Sequence, residues 1–248
     1  MSLSRRDWLR LGLTGAALLL PRRARAFGEA GKIIFGHARH GGNDTPRPHA
    51  LRRLAFELMD RTSLKVSPVP RPIDLEGPEL FETPFLYLAG DSDFPALSDK
   101  ASGALRRFLA YGGFLFADSA DGGDGFDGAV RRELAKALPE GSLQRVPNDH
   151  VLYKSFYLID HQGGRQIVAP YLEAVTFGGR LAAVYSKNDL GGAWSRDDRG
   201  DWEFPVEPGG DDQREQAFRM GVNLAMYATC LDYKDDQVHL PFILKRRR

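Results

Sequence analysis

The 248 residues suit one generous domain or two small ones, and the 42% hydrophobic and 27% charged content is ordinary for a soluble globular chain. The formal charge of +1 hides an imbalance, because residues 1–26 hold six arginines against one aspartate and the remainder sums to −4. That remainder lacks the basic surface that nucleic-acid binding requires, and the single cysteine, Cys230, excludes an intramolecular disulfide.

The first residues read as a leader. Ser4-Arg5-Arg6-Asp7-Trp8-Leu9-Arg10 resembles the twin-arginine export signature, with Trp8 where such signals usually carry phenylalanine. Leu11–Leu20 follows as the apolar stretch and Ala24-Arg25-Ala26 as a small-x-small peptidase site. Ten apolar residues make a helix of about 15 Å, half a bilayer core, so no stable membrane span is expected. The resemblance implies a signal peptide over residues 1–26, the twin-arginine translocase as partner during export, and a periplasmic or extracellular destination. Residues 27–248 are expected to form a single α/β domain.

Lys32–Gly36 reads as a buried strand that exits into a polar, glycine-rich loop over His37–Asp44. Thr45-Pro46 supplies an N-cap and a first-turn proline for an amphipathic helix over residues 46–61. Leu64–Val66 predicts a short second strand, and Ser67–Pro84, rich in proline and acid, a surface crossing. Phe85–Gly90 is the next strand, and Ser98 caps a helix striped by Ala101, Leu105, Phe108 and Leu109. Phe114–Asp118 is a further strand, followed by the loop Ser119–Gly125 and a helix bearing Phe126, Val130, Leu134 and Leu138. Val175–Ser186 reads as a hairpin turning at Gly178-Gly179, then a long polar loop over Lys187–Asp212 and a final helix over residues 212–231. Cys230 on that helix reads as a buried structural thiol, and Lys245–Arg248 as a solvated tail.

Alternating strands and helices predict a three-layer αβα fold, an open and mostly parallel sheet with a β-hairpin addition. In such sheets ligands bind where loops leave the carboxyl ends of the strands. That rule gathers His37, Arg39, His40 and Asn43, then Asp91, then Asp118 and Asp121, then Asn188, Asp189 and Trp194, on one rim. His150 and the aromatic residues after it either line the same cleft or seat their segment on the sheet. No HExxH, CxxC or GxSxG pattern occurs, and no phosphate-binding glycine loop.

Several segments together resemble the domain-of-unknown-function family numbered 4159. They are Lys32–Gly42 with its His-x-Arg-x-Gly-Gly loop, Arg52-Arg53-Leu54, Pro84–Gly90, Gly112-Gly113-Phe114 with Asp118, Gly125-Phe126-Asp127 with Arg131–Leu134, His150–Tyr157, and Tyr185–Leu190. The resemblance covers about Gly31–Ala228. It implies a flavodoxin-like or class I glutamine amidotransferase-like fold, in bacterial exported or membrane-associated proteins. An amidotransferase would place a cysteine at a strand-to-helix elbow, where this chain has Asp118-Ser119.

The leading expectation is therefore a non-catalytic, exported envelope module that binds a polar ligand or partner protein at the rim. The alternative is a metal-dependent hydrolase in which His37, His40 and Asp118, with Asp121 or His150, hold a divalent ion that acidifies a bound water. No other cofactor is implied by any motif.

Overall fold

The computed structural model describes residues 31–229. The proposed leader, Cys230 and the terminal basic run lie outside the described residues. Seven strands form one sheet: β1 (Phe35–Arg39), β2 (Arg71–Asp74), β3 (Phe85–Gly90), β4 (Phe114–Ser119), β5 (Gln144–Arg145), β6 (Glu173–Phe177) and β7 (Arg180–Ser186). Their order is β2-β1-β3-β4-β7-β6-β5. The pairings from β2 through β7 are parallel, and the β7–β6 and β6–β5 pairings are antiparallel, so β6 alone runs against the other strands. The helices are α1 (Ala50–Arg61), α2 (Asp99–Ala110), α3 (Asp124–Ala137), α4 (Leu190–Trp194) and α5 (Gly210–Thr229).

Strand alternation sorts the core into two layers. Phe85, Tyr87, Phe114 and Phe116 pack on one face against α1, α4 and α5. Leu86, Leu88, Leu115 and Ala117 face the other way, against α2 and α3. This is the expected three-layer arrangement. The hairpin is also present: Gly178 and Gly179 adopt φ of 59° and 77°, the pair of left-handed residues that a tight I′ turn demands. Ser98 caps α2 as expected, its hydroxyl accepting from the Ala101 N–H at 3.0 Å.

Four expectations shift. β1 begins at Phe35, because Ile33 makes only an isolated bridge to Val66 while the ladder to β2 and β3 starts two residues on. His37 and Arg39 therefore belong to the strand and not to the loop, and Leu64–Val66 is no strand beyond that bridge. The true second strand, Arg71–Asp74, lies in the segment taken for a surface crossing. Its Pro72 is tolerated because β2 is the sheet edge, where a missing N–H costs no ladder bond. α1 starts at Ala50 with His49 at its N-cap, so neither Thr45 nor Pro46 initiates it. Pro48 disfavours helical geometry at residue 47 and delays the start. Finally, the Lys187–Asp212 loop contains α4, whose five residues are all buried, and α5 already begins at Gly210.

Candidate functional site

At the carboxyl edge, between β4 and β7, two buried aspartates anchor one network. Asp118, the fifth residue of β4, points to the α1 side of the sheet and meets the start of α4. Its Oδ1 accepts the Leu190 N–H at 3.1 Å, and its Oδ2 accepts the Gly191 N–H at 2.7 Å and the Tyr87 hydroxyl at 3.0 Å. Burial, and then the charge of Asp189, pushes the Asp118 carboxyl up to about 7. Burial likewise raises the Tyr87 phenol well above its ordinary value, so it stays a donor.

Asp189 holds φ of 53°, an uncommon left-handed geometry for a residue with a side chain. The turn is held because its carboxylate receives the Gly192 N–H at 2.8 Å, capping α4. Arg47 grips the same carboxylate through Nε at 3.0 Å and Nη2 at 2.7 Å, and Arg165 donates to it through Nε. Both guanidiniums also reach the Ala120 carbonyl. Burial opposes the Arg47 charge, but its bonds to Asp189 prevail and its pKa is raised. Paired charges with every lone pair accepted are the form in which ions persist inside proteins. Chemically, the arrangement locks α4 onto the sheet and offers no free nucleophile.

The remaining rim residues divide by depth. Asn188 is buried beside Asp189, its Oδ1 accepting the Val168 and Ala169 N–H groups at 2.9 Å each while its Nδ2 donates to the Ala169 carbonyl. Trp194 does not reach the rim, since its indole N–H donates to the Ala217 carbonyl on α5 and its ring packs in the core. His40 is buried with both nitrogens engaged. Nδ1 accepts the Gly42 N–H and Nε2 donates to the Ala89 carbonyl at 2.9 Å, which fixes a neutral tautomer. His37 donates to the Asp44 carbonyl at 2.5 Å and packs near Tyr87. Burial lowers the pKa of both histidines.

Nearer solvent, Arg39 pairs with Asp44 at 3.0 Å, Asn43 donates to Asp91 at 2.6 Å, and Asp121 accepts the Ser119 hydroxyl and the Gly123 N–H. His150 sits at the opposite edge. It caps the 3-10 turn Val151–Lys154 and packs against Tyr227, whose hydroxyl accepts the Leu181 N–H at the start of β7. Of the two roles considered for it, seating its own segment is the one observed. Among the described residues no three His, Cys, Asp or Glu side chains gather in a metal-holding group. His37, His40 and Asp118 are each turned to a different internal partner.

Sequence reasoning missed Tyr87, Arg47 and Arg165. Tyr87 looked like an ordinary strand aromatic. Arg47 lies between two prolines, a hint of fixed backbone, but its partner is 142 residues away.

A profile of the family described as "Domain of unknown function (DUF4159)" matches residues 34–229. A comparison with curated proteins finds no match. The matched span takes in every strand and helix that frames the rim, and on it the chain belongs to the DUF4159 family.

Proposed function

We propose that this chain is an exported cell-envelope module that binds a polar ligand or partner protein at the carboxyl rim and performs no turnover on it. One observation carries the reading. The inner polar layer of the rim, Asp118, Asn188 and Asp189, is spent on internal hydrogen bonds, which leaves Arg39, Asn43, Asp91 and Asp121 as the layer that meets solvent.

The sheet order supports a flavodoxin-like scaffold, with β7 in the place of the fifth strand of the 2-1-3-4-5 pattern. In that pattern the ligand crevice lies between the first and third strands. Here the loop after β1 and the loop after β3 face each other at that point, bridged by Asn43 and Asp91. Arg5 and Arg6 support delivery through the twin-arginine route.

Photo-cross-linkers placed at Asn43 and Asp121, with Tyr111 at the opposite edge as control, test both halves of this reading in cells. Adducts are expected from the rim positions only. Changing Arg5 and Arg6 together to lysine is expected to abolish both export and adducts. Equal adducts from Tyr111, or export that survives the double change, would count against it.

A further inference from the structure

Opposite the rim, at the amino ends of the strands, a groove of about 440 Å³ lies among the ends of α2 and α5 and the segments that lead into β1 and β3. Its walls include Ile33, Leu64, Phe81, Pro84, Tyr111 and Thr229. Phe81 is 48% exposed and Tyr111 80%, so two large aromatic surfaces of the groove stay open to water. The polar side chains along it are already engaged. The Thr83 hydroxyl donates to the Phe85 carbonyl at 3.0 Å, the Thr229 hydroxyl donates to the Ala225 carbonyl at 2.7 Å, and Glu82 pairs with Arg71 at 2.5 Å. The groove therefore suits an apolar occupant, since a polar one would give up water for few partners.

The chain itself supplies such an occupant. α5 ends at Thr229, which is part of the wall, so the chain leaves the described residues at the groove. Residues 230–239 follow, and then the unbroken apolar run Leu240-Pro241-Phe242-Ile243-Leu244. The chain from residue 229 to residue 240 reaches about 36 Å when extended, ample to turn and come back to the end of α5. Pro241 biases Leu240 towards extended backbone, in which Leu240, Phe242 and Leu244 share one side. A tether this short holds the run at an effective concentration of about 1 mM, a level that few free partners reach.

We propose that residues 240–244 dock in this groove of their own chain, with Leu240 and Phe242 covering Phe81 and Tyr111. Docking removes apolar surface from water on both sides, which is the driving force for the contact. The basic run Lys245–Arg248 follows the seat and stays in solvent. The contact lies at the edge opposite the rim and does not depend on what the rim binds.

The test places a photoreactive benzoylphenylalanine at Phe81 of the full chain, in an equal mixture of isotope-labelled and unlabelled protein. After irradiation and trypsin digestion, it is expected to be joined to the peptide of residues 235–245, with both halves labelled or neither. The same group at Leu158, which is 81% exposed and outside the groove, is expected to give little of that product. Leu240→Asp combined with Phe242→Asp is expected to lower the yield from Phe81 about tenfold. Products that mix labelled and unlabelled halves would put a second copy in the groove and overturn the proposal. It is overturned as well if residues 235–245 are never captured, if Leu158 captures them equally, or if the double variant keeps its yield.

Discussion

Asp118 carries the strongest pH signature at the level of single residues. Its carboxyl holds a proton up to about pH 7 in the folded chain, against about 4 for an ordinary carboxylate. Between those values the folded state binds the proton and the unfolded state does not, so this group's contribution to stability falls as pH rises and levels off above 7. His37, His40 and His150 act with the opposite sign. Burial lowers their folded pKa values, so the stability they contribute is lost as pH falls below about 6.5. Asp118→Asn isolates the first effect. The amide can satisfy Tyr87 and Gly191 but must face the Leu190 N–H with a donor, a cost of about 1–3 kcal/mol. Urea midpoints at several pH values are expected to show the gap between wild type and variant narrowing from pH 4 to pH 7. A constant gap would mean that Asp118 is ionised throughout. Nothing local in the sequence announces this behaviour, since it depends first on burial and then on Asp189, which arrives from another strand exit. The sequence does bring Asp118 and Asp189 to one edge, through the rule that loops leave parallel strands on the same side.

Among the elements, those with a regular apolar period were legible and those without were not. α2 and α3 show their stripes plainly, and β3 and β4 are unbroken apolar runs. β2 escaped because Arg-Pro-Ile-Asp has one apolar position suited to a strand, and α4 because Leu-Gly-Gly-Ala-Trp reads as a turn until two aspartates cap it. Gly221 shows packing overruling propensity. An exposed glycine in a helix gains about 1 kcal/mol on becoming alanine. Here the added Cβ would lie 2.6 Å from Leu54 Cδ1 and 2.8 Å from Trp194 Cζ2, where α5 crosses α1 and α4. Overpacking of this kind costs about 1–3 kcal/mol, so Gly221→Ala is expected to destabilise by about 1 kcal/mol net. Chemical denaturation measures this directly, and a stabilised variant would show that the α1–α4–α5 junction repacks freely.

For the whole molecule, the three-layer plan was legible because buried parallel strands and covering helices alternate along the chain. The depth of the rim was not, because turn-like residues such as Asn188-Asp189 give no local sign that Val168 and Arg165 fold over them. That depth bears on the metal reading. The nitrogens of His40 and the oxygens of Asp118 already hold internal partners, so metal removal is expected to leave the protein's melting temperature unchanged. Melting curves with and without a strong chelator check this, and a fall of several degrees would restore a bound ion to consideration.

The place of β7 beside β4 also constrains how the chain can be made. Residues 120–179 separate the two strands in sequence, yet their hydrogen bonds join them directly in the sheet. On the ribosome, the first four strands emerge early with the far side of β4 open, an apolar and unpaired edge of the kind that recruits other chains. Only when residue 186 has left the exit tunnel can that edge close. A stalled or truncated product ending before the hairpin would be a seed for aggregation, which sets a premium on chaperone cover through the middle of synthesis.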